Sequence, residues 1–120
     1  MSLQLQMEEM PGYLAARFTG EGAPEEVWRQ FELIAEHCKR TKKDKLLIDI
    51  TKARLEISLV ERFQAANRAQ VFAAHEIKVA FIAIPEQMDS QKFFTLAARN
   101  RGVDVDAFTD LHPAEEWLLK

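Results

Sequence analysis

Apolar and polar positions alternate from the start of the chain: Leu3, Leu5 and Met7 are separated by Gln4, Gln6 and Glu8, the period-two signature of a strand buried on one face. Met10-Pro11-Gly12 supplies a turn before the run Tyr13 to Thr19, so the first two elements read as a β-hairpin. After Gly20 and Gly22 the period changes. Pro24 sits where a first helical residue tolerates a missing N–H, and Glu25 and Glu26 suit the positive end of a helix. Val27, Phe31, Ile34 and Cys38 then form a stripe at helical spacing, predicting a first helix. Lys45 to Ile50 lacks a wet face and reads as a strand buried on both sides. Ser58 and Glu61 have the spacing of a capping box, opening a second helix that carries Leu59, Phe63, Ala66 and Val71. Ile77 to Ile84 is another fully apolar strand, closed by Pro85. Asp89 or Ser90 is expected to cap a third helix through Phe93, Leu96 and Ala97 that stops at Gly102. Val103 to Phe108 makes a last strand, and Asp110 and Pro113 start a final helix with Trp117 and Leu118.

The order ββαβαβαβα is an α/β pattern. It predicts one domain spanning residues 1–120, built on a mixed, mostly parallel sheet with right-handed crossovers and the first strand as antiparallel edge. Ligands of such sheets bind outside the carboxyl ends of the parallel strands, here Asp49 to Thr51, Pro85 to Ser90 and Thr109 to His112. Both central strands are apolar on two faces, so a face left open by the helices is expected to be covered by a second copy of the chain, as a homodimer.

Composition narrows the function classes. With 48% hydrophobic and 29% charged residues in 120, the chain is long enough to bury its own core. Its 16 basic and 19 acidic residues give a net charge of −3, which argues against nucleic acid as a main partner. A single cysteine, Cys38, allows neither a disulfide framework nor a multi-thiolate metal site and fits a cytoplasmic setting. Met1 to Gln6 lacks the charged start and apolar run of a signal peptide. Val79 to Ile84, the longest apolar run, is far short of the roughly 20 residues of a membrane-spanning helix.

Few residues carry candidate chemistry. Asp49 closes the apolar part of its strand, where an acid either binds a ligand or accepts N–H bonds from the segment after it. Thr51, Ser58 and Ser90 are the neighbouring hydroxyls, and the four residues together form the candidate ligand or partner site. His37, His75 and His112 are scattered, so no metal is expected. Cys38 has no base beside it in sequence and reads as a small core residue. The glycines form no phosphate-cradling loop, and no cofactor is expected. Lys39, Arg40, Lys42, Lys43 and Lys45 read as cations complementing a helix C-terminus rather than an anion-binding patch.

The order of elements, the strand LLIDIT, its spacing to the helix at Ser58, the strand VAFIAIP and the closing AFTDLHPAEEWLL resemble the STAS domains. These have the fold of the bacterial anti-sigma-factor antagonists, and the chain looks most like their SpoIIAA-like relatives. In the regulatory members the strand ends in an acid, an aliphatic and a small hydroxyl residue, matched by Asp49-Ile50-Thr51. Their second helix opens with Asp-Ser-Ser/Thr-Gly, one hydroxyl of which is phosphorylated by a partner kinase. Here that segment is Ile57-Ser58-Leu59-Val60, where Ser58 alone agrees. The resemblance therefore implies a non-catalytic regulatory or protein-interaction module of a bacterial cytoplasm, without a phosphoserine switch. Ser58 then reads as an N-cap worth about 1 kcal/mol rather than a phosphosite. SpoIIAA-like domains also resemble the lipid-binding CRAL-TRIO fold, which keeps open a second function: binding of a small apolar or anionic, lipid-like ligand at the strand ends.

Overall fold

The computed structural model describes residues 3–120; Met1 and Ser2, the first positions of the alternating start, lie outside them. Five strands form one sheet in sequential order: β1 (Gln4–Met10), β2 (Tyr13–Glu21), β3 (Lys45–Arg54), β4 (Lys78–Ile82) and β5 (Asp104–Phe108). β1 pairs antiparallel with β2 across the turn at Gly12, whose φ of 87° is open to glycine and strained for other residues. β2 to β5 run parallel, so the architecture is the expected mixed, mostly parallel sheet with β1 at its edge.

This strand order decides where the helices lie. Each right-handed crossover between neighbours that step in one direction returns on the same face of the sheet. All the crossover helices therefore share one face: α1 (Glu25–Trp28), α2 (Phe31–Arg40), α3 (Leu59–Arg68), α4 (Gln70–Ala74) and α5 (Met88–Arg99). On that face Leu14, Ala16, Phe18, Leu46, Ile48, Ile50, Val79 and Phe81 meet Phe31, Phe72 and Phe94 in the main core. The opposite face receives α6 (Leu111–Leu118), whose Ala114 and Leu118 pack on Tyr13, Ala15, Leu47, Ala80 and Ile82. Both faces of β3 and β4 are thus covered within one chain. The part of the second face beyond α6 carries Gln4, Gln6, Arg17 and Thr19, with Arg17 donating to Glu8 at 3.0 Å. Among the described residues that part of the face is polar, so the open apolar face from which a homodimer was expected is not found there.

Three elements differ from the expectation. The first helix is broken at Arg29 and Gln30, where Gln30 N–H turns to the Val27 carbonyl; Val27 and Trp28 are both buried beside Phe31. The second is broken at Ala69 into α3 and α4, so that Phe72 enters the core, 5.0 Å from Phe31 between ring centroids. The third begins earlier than Asp89. A 3-10 turn over Pro85–Gln87 leads into α5, and Ser90 lies in its first turn instead of capping it. The capping box at Ser58 forms as read: Glu61 N–H donates to Ser58 Oγ at 3.2 Å and Ser58 N–H to Glu61 Oε1 at 2.9 Å. The bonds from Ser58, its backbone N–H first, hold the Glu61 carboxyl below its ordinary pKa.

Cys38 is fully buried on α2, and burial pushes its thiol up to about 11, so little thiolate forms at neutral pH. Within the basic cluster, Lys43 Nζ donates to the Met10 carbonyl and ties the end of α2 to the hairpin.

Tyr13, the only tyrosine, anchors α6: its hydroxyl donates to Glu115 Oε2. Burial first, and the Glu115 carboxylate second, push the phenol from 10.0 up to about 12. The unfolded chain releases this proton at lower pH than the folded one, so the contribution is intact below pH 10 and lost as pH rises toward 12. Tyr13→Phe is expected to cost about 1 kcal/mol at neutral pH. It should also flatten the fall in stability on the alkaline side, measured by urea unfolding at stepped pH with tryptophan fluorescence as the reporter in both proteins.

Candidate functional site

β3 does not end at Asp49. It parts from β4 there, at the pair Asp49 and Ile82, but continues against β2 to Arg54. The register advances two residues on β2, Arg17 to Thr19, while it advances three on β3, Asp49 to Lys52. The extra residue is a bulge at Ile50 and Thr51. Asp49 Oδ1 accepts both the Thr51 N–H at 2.9 Å and the Thr51 hydroxyl at 2.7 Å. One acid thus satisfies the polar groups that the bulge takes out of the ladder.

The four residues of the sequence-read site do not converge. Asp49 pairs with Ile82, which belongs to the α6 side of the sheet. Ser58 caps α3 on the other side and is engaged in its own box. Ser90 accepts a hydrogen bond from Arg62 Nη2 at 2.7 Å. Of the four, Ser90 alone lines the cavity described next.

That cavity, about 110 Å³ in volume, lies at the carboxyl ends of β3 and β4 beneath α1, α3 and α5. Trp28, Phe31, Ile57, Phe81 and Phe94 supply apolar walls, while Arg62, Glu86, Ser90 and Gln91 supply polar groups. Gln87 shapes its floor. Its Oε1 accepts from Ile84 N–H at 2.9 Å, and its Nε2 donates to the Ile50 and Ala53 carbonyls at 3.0 and 3.1 Å, stitching β3 to the turn after β4. Three buried polar atoms have no partner among the described residues: Arg62 Nε, Gln91 Nε2 and Thr95 Oγ1. Arg62, Gln87 and Gln91 lie outside the residues that the sequence marks as candidates. For Gln91 a signal existed, because Gln91, Phe94, Thr95 and Ala98 share one stripe at helical spacing.

Above the cavity, the outer surface of α3 and α5 inverts the usual distribution. Ala65, Ala66 and Ala69 face the core, whereas Leu59, Val60 and Phe63 are 55%, 66% and 43% exposed. On α5, Gln91 and Thr95 are buried while Leu96 is 61% exposed. Phe63 and Phe93 meet edge to face at 5.2 Å, with Arg62 5.9 Å above one ring and Arg101 5.9 Å above the other. The stripe predicted for these helices is present, but its large members point outward.

Among the described residues no group of three His, Cys, Asp or Glu side chains is placed to hold a metal ion, and no helix is long and apolar enough to cross a membrane.

No protein-family model matches the chain, and a search of curated proteins finds no match. Among solved structures it is similar to an uncharacterised protein of the DUF3478 family with a SpoIIAA-like fold from Shewanella loihica PV-4. The TM-score is 0.59 at 24% identity, over 97% of this chain and 93% of that one. The element order, the mixed sheet and this likeness agree: the chain has a SpoIIAA-like fold.

Proposed function

We propose that the chain is a non-catalytic interaction module of a bacterial cytoplasm that docks a protein partner on the outer face of α3 and α5. The observation that carries this reading is the apolar surface of Leu59, Val60, Phe63 and Leu96, large side chains that the core leaves out while alanines fill their places. Arg62 and Arg101 flank its aromatic centre, which suits a partner with an apolar patch bordered by carboxylates. The STAS resemblance supports the same surface. In the regulatory members the helix after the LLIDIT-like strand carries the hydroxyl on which the partner kinase acts, and α3 is that helix here. The capping box occupies Ser58, so docking rests on shape and apolar contact rather than on a phosphate.

A photo-crosslinking residue at Leu59, introduced in the source cell, is expected to give one discrete adduct with a second protein, whereas the same residue at Gln6 on β1 gives none. Val60→Glu with Leu96→Glu should cut the adduct yield about tenfold or more while the melting temperature holds, because both positions are already exposed. Equal adducts at Leu59 and Gln6, or a yield indifferent to the two glutamates, would refute the reading. An adduct of twice the chain mass would assign the surface to self-association instead.

A further inference from the structure

Gln91 is a polar residue placed in a core position: it is 7% exposed, and its Nε2 donates to nothing. Arg62 Nε is buried and unpartnered in the same way, and both side chains line the one cavity at the ends of β3 and β4. Folded chains rarely leave such donors unused without a reason. Arg62 also has no carboxylate within salt-bridging distance among the described residues. Its Nη2 is held by Ser90, and its guanidinium lies over Phe93, so the side chain is fixed and its charge is left unanswered. The remaining walls are mainly apolar and aromatic, with Glu86 as the one acidic residue of the lining, beyond salt-bridging distance of Arg62.

We infer that this cavity binds a small monocarboxylate with a compact apolar body, its carboxylate oxygens taking the free N–H groups of Arg62 and Gln91. A carboxylate offers two acceptor oxygens to two fixed donors and answers the one cation. Ordered water would satisfy the donors but not the charge, and it needs two to four polar partners where Trp28, Phe31, Ile57 and Phe94 offer ring and methyl surfaces. Size sets the body of the ligand. An apolar cavity of roughly 150 Å³ holds a benzene molecule, so 110 Å³ with an open mouth suits one ring or a short branched chain and excludes a lipid tail. The site deepens the small-ligand alternative raised by the sequence while replacing its residues. It does not rest on partner docking, since the cavity lies beneath the surface proposed for that role.

Trp28 lines the cavity and Trp117 lies on α6 across the sheet. In a Trp117→Phe background the fluorescence of Trp28 therefore reports occupancy alone. Benzoate and 3-methylbutanoate are the probes, with benzamide as the neutral counterpart of benzoate. At least one carboxylate should give a saturable change together with a shift of the Gln91 side-chain amide in ¹⁵N-edited spectra, and benzamide should bind about tenfold or more weakly than benzoate. Arg62→Met and Gln91→Leu should each weaken carboxylate binding about tenfold or more. Gln91→Leu should keep or raise the melting temperature, because it removes an unpaired buried donor, whereas Arg62→Met also gives up the Ser90 bond and is read by its loss of binding. No saturation by either carboxylate at about 10 mM, equal affinity for benzamide and benzoate, or unchanged binding in both variants would overturn the site. So would a Gln91→Leu protein that unfolds, since the amide would then serve the fold.

Discussion

Phe72→Ala is expected to remove about 3–5 kcal/mol of stability, a large share of the roughly 5–15 kcal/mol that holds a typical domain of this size together. Phe72 is fully buried and meets Phe31 at 5.0 Å with the rings tilted at 52°, so the change deletes both buried area and an aromatic pair. Its position raises the stakes. α4 has five residues, too few to persist on intrinsic helicity, and Phe72 is its one buried side chain. The Phe72 carbonyl also accepts the Ile77 N–H at 2.8 Å, so the same residue sets the path of the chain into β4. Urea unfolding should show a lowered midpoint with an unchanged slope, while Val71→Ala, on the half-buried side of α4, should cost under about 1 kcal/mol. If the two variants behaved alike, α4 would be a loosely attached turn and the Phe31–Phe72 pair would not organise the core.

Phe72 also illustrates what the sequence carried and what it did not. The two-residue period of β1, the apolar runs of β3 and β4 and the capping box at Ser58 are local signals, and each matches its element. Strand direction followed from the alternation of elements. The helix faces were harder, because a periodic stripe says which side of a helix is apolar on average without saying how much room that side meets. Against Phe31, Phe72, Phe81 and Phe94 there is space on α3 for alanine, so Ala65 and Ala66 go inward and Leu59 and Phe63 outward. The helix breaks at Arg29 and Ala69 express the same constraint, turning Trp28 and Phe72 inward at the cost of a continuous helix.

The candidate site was less legible still. Asp49 drew attention as an acid ending an apolar run, but its Oδ1 is committed to the Thr51 N–H and hydroxyl at a bulge that arises from register between β2 and β3, a relation between distant segments. Gln87 joins the ends of two strands through partners 34 and 37 residues away in the chain, and no local pattern announces such a bond. Arg62 and Gln91 come together because α3 and α5 are neighbours on the crowded face. That neighbourhood follows from a strand order that the element sequence alone left open.

Leu118→Ala carries the second large effect, about 2–5 kcal/mol, and its consequence reaches assembly. Leu118 is fully buried and, with Ala114, is the chain's main cover for Tyr13, Leu47, Ala80 and Ile82. The remaining ties of α6 to the sheet are the Tyr13–Glu115 bond, the 2.6 Å bond from Lys78 Nζ to the Trp117 carbonyl and the packing of Trp117 on Phe108. These orient the helix, while Leu118 supplies most of the large-side-chain burial. The sequence expectation of a second copy rested on β3 and β4 being apolar on two faces, and that physical reasoning still applies once α6 is gone. A chain ending after Asp110 should therefore self-associate through this face, seen as a shift to dimer or larger in sedimentation velocity, whereas Leu118→Ala should remain attached but less stable. A truncated chain that stays monomeric would mean that the face closes without α6 or was never apolar enough to drive association. With α6 present the chain buries that face internally, so the exposed side chains of α3 and α5 are the first place to look for contact between copies.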